Sequence, residues 1–140
     1  MAAKSDFTDD EWNTLHRGLT GAGMLVAISE RGFTSTFKET GAIAKFLAKQ
    51  SQEGDSQLVR ELAGTHGSGW KVNSSADDLK DGVLAALREG IGILTAKDPE
   101  DLADYREVVL ALAQRVSDAA PEGTDVEKGA IDSIRDAIAP

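Results

Sequence analysis

Three times along the chain a threonine stands three residues before a glutamate: Thr8 and Glu11, Thr36 and Glu39, Thr124 and Glu127. In that arrangement the hydroxyl accepts the N–H of the glutamate, and the carboxylate accepts the N–H of the threonine. Two donors that a helix start leaves orphaned are thereby satisfied together. Each box opens a stretch whose apolar residues recur every three or four positions, which is the helical period. Such repeated start signals leave little room for any architecture other than all-α.

The first box is the most complete. In "FTDDEW", Phe7 and Trp12 flank the cap as a hydrophobic staple, and Asp9, Asp10 and Glu11 sit at the positive end of the helix dipole. A helix is predicted from residue 9, with Trp12, Leu15, Leu19, Ala22 and Val26 on one face. Met24, Leu25 and Ile28 widen that face, so the second half is expected to be buried on most sides. It ends near Arg31, with Gly32 as C-cap. A second helix starts at Thr36 and runs through "FKETGAIAKFLAKQ"; a third covers "DSQLVRELA", capped by Asp55. The aperiodic "GTHGSGWKVNSS" reads as a loop. Ser75 caps a fourth helix with Leu79, Val83, Leu87, Ile91 and Leu94 on its apolar side. Asp98 caps a fifth, with Pro99 at its first position. Thr124 caps a sixth that ends near Ile138. No segment reads as a strand. The expectation is an all-α, single-domain bundle of about six helices with short connections over residues 1–140. The Gly/Ser-rich loop is the place where two halves, 1–66 and 74–140, would divide.

Within the first helix, "GLTGAGMLVAISERGF" has the order G-x-x-G-x-G and no preceding strand. A dinucleotide loop needs G-x-G-x-x-G after a strand, so phosphate binding is not the reading. A glycine inside a helix costs roughly 1 kcal/mol against alanine. Gly18, Gly21 and Gly23 therefore predict a close approach by the fourth or fifth helix.

Charge and composition narrow the functional classes. A net charge of -9 without a basic stripe argues against nucleic acid and against anionic membrane surfaces. With no cysteine, thiolate metal sites, disulfides and thiol catalysis are excluded. "MAAKSDFTDD" has no apolar signal region. No apolar run, Met24–Ile28 included, approaches the roughly 20 residues of a membrane span. The expected location is the cytoplasm.

No nucleophile elbow, HExxH helix or phosphate loop is present, so no catalytic residue is nominated. His16 stands four residues after Trp12 and reads as a packed residue at the core edge. His66 lies in the glycine-rich loop, and with Trp70 and Tyr105 forms the nominated ligand or partner surface. The carboxylates gather at Asp9–Glu11, Asp77–Asp81, Asp98–Asp104 and Glu122–Glu127. Each cluster stands at a helix start, where carboxylates are favoured without any metal, and none follows the EF-hand order.

Two stretches share one pattern: "LVAISERGFTSTFKETGAI" and "RVSDAAPEGTDVEKGAIDSI". Each has an apolar helix end, a turn with glycine, then a Thr-x-x-Glu start. The pattern resembles the helical repeat unit of the TerB-like (tellurite-resistance) proteins, in which an Asp-Gly turn precedes such a start. The resemblance implies an all-helical fold and a divalent cation at the acidic turns, held here by Glu30, Glu39, Glu122 and Glu127. The chain departs from the pattern in carrying Glu30-Arg31-Gly32 and Glu122-Gly123 where Asp-Gly stands in the family.

The leading functional expectation is a non-catalytic binding or stress-response accessory. It would offer acidic turns to a protein partner, to itself or to a divalent cation, with no other cofactor. The alternatives are an enzyme with a pocket around the 65–73 loop, and a structural subunit of a homo-oligomeric assembly.

Overall fold

The computed structural model describes residues 4–31, 36–54, 56–65, 76–119 and 125–139, and their side chains except at 27–31, 36–40, 76–77, 119 and 125–128. The described residues form a short 3-10 turn, Lys4–Asp6, and six helices: α1 (Asp9–Arg31), α2 (Thr36–Glu53), α3 (Gln57–Ala63), α4 (Ala76–Lys97), α5 (Pro99–Ala119) and α6 (Asp125–Ala137). No strand occurs among them, and the chain is all-α as its sequence predicts.

The start of α1 is built as its residues dictate. The Thr8 N–H donates to Glu11 Oε1 at 2.9 Å, and the Glu11 N–H donates to Thr8 Oγ1 at 3.1 Å. The Phe7 and Trp12 rings meet across the cap with centroids 5.9 Å apart. One cap differs from expectation. The N-cap of α3 is Ser56, whose side chain accepts the Val59 N–H at 3.1 Å. Ser56 is buried, so its hydroxyl is held against the helix end. Asp55 lies outside the described residues.

Helix α1 is the axis of the bundle and packs against all five other helices, most extensively α4 and then α5. Its buried set includes Trp12, Leu15, Leu19, Ala22, Leu25 and Val26, joined by Gly18, Gly21 and Gly23. A helix enclosed on most sides needs small residues where neighbours cross, and the glycines supply them. A Cβ added at Gly18 would lie 3.1 Å from Leu87 Cδ2 of α4 and 2.6 Å from Tyr105 Oη of α5. One added at Gly23 would lie 3.1 Å from Ile43 Cγ1 of α2 and 3.2 Å from Leu112 Cδ2 of α5. The close approach read from the sequence is therefore present, and α2 shares in it.

On α4, Leu79, Val83, Leu87 and Leu94 are buried, while Ile91 is half-buried. A single residue, Asp98, separates α4 from α5. Its N–H donates to Leu94 O at 2.8 Å and its carbonyl accepts the Asp101 N–H at 3.2 Å. One apolar core runs from Phe7 to Ile138 and takes residues from every helix. The described segments before residue 66 and after residue 75 thus share it.

Candidate functional site

Tyr105, nominated as part of a surface, is instead fully buried. Its hydroxyl donates to the Leu15 carbonyl of α1 at 2.8 Å. A carbonyl has two lone pairs, so Leu15 can serve the helix ladder and the phenol together. The room for the ring comes from two glycines. Gly18 lies against the hydroxyl, and a Cβ at Gly90 of α4 would stand 3.4 Å from the same oxygen. Burial pushes the phenol pKa up. Tyr105 is a tie between α5 and α1, and the sequence expectation of a ligand surface is corrected for it.

The other nominated residues lie where side chains are not described. His66, Trp70 and Glu122 fall outside the described residues. Glu30, Glu39 and Glu127 sit on α1, α2 and α6, with their side chains outside the description. Among the described residues no group of three or more His, Asp or Glu side chains is placed to hold a metal.

His16 is buried in a polar corner where α1 passes the end of α3. Trp12 Nε1 donates to Thr65 Oγ1 at 3.2 Å, and Thr65 Oγ1 donates to Glu61 O at 2.8 Å. Burial lowers the His16 pKa, and a hydrogen bond with the Thr65 backbone opposes that shift. His16 Nε2 has no hydrogen-bond partner among the described residues. A neutral imidazole without solvent access or an orienting carboxylate is poorly placed for acid–base work. His16 therefore holds the packed position read from the sequence.

The acidic clusters separate into two kinds. Glu11 completes its cap and pairs with Lys97 at the end of α4; the lysine, then the Thr8 N–H, hold its pKa below the usual value. Asp98 and Asp101 are both 7% exposed, and Asp98 Oδ2 has no hydrogen-bond partner among the described residues. Burial, followed by the Asp101 carboxyl, pushes Asp98 up to about 6. These carboxylates belong to helix starts and to the α4–α5 corner.

Asp104 and Glu107 behave differently. They stand one turn apart on α5 and border a cleft of about 70 Å³ between α2, α3 and α5, lined also by Gln50, Val59, Val108 and Ala111. Val59 and Val108 are buried and form its apolar floor; Asp104 is half-buried, and Glu107 and Ala111 are exposed. Neither carboxylate has an ion-pair partner among the described residues. The sequence alone places Asp104 in a capping cluster and gives Glu107 no role. Their i, i+3 spacing beside Val108 was the available signal, since it puts both on one helix face.

No family model, curated protein or solved structure matches the chain.

Proposed function

We propose that this chain is a non-catalytic binding protein that meets a protein partner through its acidic surface, with the cleft between α2, α3 and α5 as the contact point. The carrying observation is the contrast among its carboxylates. Glu11, Asp98 and Asp101 are committed to caps and to a buried corner. Asp104 and Glu107 stand at the cleft with no cationic side chain paired to them among the described residues. An enzyme reading gains no support from this cleft. Small-molecule pockets run to roughly 300–1,000 Å³, against about 70 Å³ here. The test is a photo-crosslinking residue placed at Ala111, with Gly92 on α4 as the control position. A specific protein adduct from Ala111, absent from Gly92, is the expected result. Adducts from neither position, or equally from both, refute the contact point.

The two similar hairpin sequences favour a second reading, a divalent cation held in the TerB-like manner by Glu30, Glu39, Glu122 and Glu127. Thermal melts with EDTA and then with Ca²⁺, Mg²⁺, Zn²⁺ or Mn²⁺ test it. A ligand at about 100 times its Kd stabilises by about 2.7 kcal/mol, a shift of several degrees for a domain of this size. A shift for one ion that Glu122→Gln abolishes supports the reading; no shift with any ion removes it.

A further inference from the structure

We propose that the α2–α3–α5 cleft receives a lysine side chain from a basic segment of the partner; this rests on the reading of the cleft as a contact point. Size sets the first limit. The cleft, at about 70 Å³, is roughly half the ~150 Å³ cavity that admits a benzene ring. A linear chain end fits, whereas a ring or a broad planar group does not. Polarity sets the second. The floor is Val59 of α3 and Val108 of α5, both buried, and the border carries Asp104, Glu107 and the Gln50 amide of α2. An occupant must therefore be apolar along its stem and cationic at its tip.

Lysine has that form. Its methylene stem packs along apolar surface while the ammonium stays at the polar edge. The ammonium is a compact charge with three donors, enough to meet two carboxylates and the Gln50 carbonyl oxygen. Arginine presents a planar fork of five donors, which asks for width the cleft lacks. A hard divalent cation wants six or more oxygen ligands, but the bordering groups are two carboxylates and one amide above an apolar floor. Ala111, exposed at the edge, leaves the approach open. The chain's net charge of -9 favours encounter with a basic segment over encounter with a second copy of itself.

The experiment is an NMR titration of the full ¹⁵N-labelled chain with an N-acetylated, C-amidated Ala-Ala-Lys-Ala-Ala peptide. The same peptide with norleucine or arginine at the centre serves as comparison. Saturable shifts are expected at the amides of Gln50, Val59, Val108 and Ala111. The norleucine peptide is expected to bind at least about tenfold more weakly, the change produced by losing one charge-assisted hydrogen bond, and the arginine peptide to bind more weakly than the lysine peptide because its planar fork does not enter the cleft. Asp104→Asn with Glu107→Gln should weaken the lysine peptide by a similar factor. Glu107→Gln alone, at an exposed position, gives a reading independent of any effect of the double change on folding. Equal binding of the norleucine peptide overturns the lysine assignment while leaving the contact point intact. Absence of saturable shifts, with the Ala111 crosslink still forming, does the same. Loss of both the shifts and the crosslink overturns both readings. Shifts at these amides that grow with protein concentration alone assign the cleft to a second copy and overturn the proposal.

Discussion

Gly18→Ala tests whether the glycines of α1 exist for close packing. The new Cβ would lie 2.6 Å from Tyr105 Oη, 3.1 Å from Leu87 Cδ2 and 3.6 Å from Leu87 Cα. The phenol cannot swing aside freely, because it is fully buried and its hydroxyl is tied to Leu15 O at 2.8 Å. Three effects decide the magnitude. Alanine gains roughly 1 kcal/mol of helix propensity. Overpacking costs about 1–3 kcal/mol. Displacing the hydroxyl from Leu15 O leaves a buried donor unsatisfied, at about 1–3 kcal/mol. The net is a destabilisation of about 1–5 kcal/mol, with about 3 as the central expectation. The assay is urea unfolding followed by far-UV circular dichroism, with Gly92→Ala as control. No other described residue lies within 4 Å of a Cβ at Gly92, so that variant should be stabilised by about 1 kcal/mol. Repeating Gly18→Ala in a Tyr105→Phe background removes the 2.6 Å contact and should recover at least about 1 kcal/mol of the loss. If Gly18→Ala stabilises as Gly92→Ala does, the packing argument fails. If its cost is the same with Phe at 105, the hydroxyl is not what the glycine accommodates.

Three further outcomes follow from the buried polar groups. The folded-state pKa of Asp98, raised to about 6, means that its contribution is present below the unfolded value and lost as pH rises between about 4 and 6. Asp98→Asn keeps a capping side chain, so it should flatten that part of the stability profile and gain on the order of 1–2 kcal/mol at pH 7. His16 has the opposite sign: its lowered pKa makes its contribution complete above about 6.5 and lost as pH falls below it. His16→Met should remove that acid-side loss in thermal melts between pH 7 and pH 5, and an unchanged profile would show that the imidazole is not buried as a neutral group. Ser56→Ala should cost about 1 kcal/mol by chemical denaturation; a neutral result would mean that the Val59 N–H finds another acceptor.

Much of the secondary structure was legible because helix starts are local. A cap, its reciprocal glutamate and a staple lie within one turn, so Phe7, Thr8, Glu11 and Trp12 announce α1 without reference to anything else. Pro99 behind Asp98 does the same for α5. The third cap slipped by one residue because Asp55 and Ser56 are both good N-caps. Ser56 is the buried one whose hydroxyl accepts the Val59 N–H, and local sequence does not report burial.

The site was less legible. Helical period shows which face of α5 is apolar, yet Tyr105 was expected at a surface because an aromatic with a polar tip suits either place. Its destination depends on Gly18 and Gly90, which lie 87 and 15 residues away in the chain, and on a hydrogen bond spanning 90 residues. The cleft joins side chains from α2, α3 and α5, and the charges of Asp104 and Glu107 gain meaning only beside Val59. The sequence by itself determined that the chain is helical, where most helices begin, and that α1 must be closely approached, because those facts follow from single turns and from the period of one helix. Tertiary structure alone decided which carboxylates are buried, which border a cleft and where the phenol ends, because each depends on contacts between helices far apart in sequence.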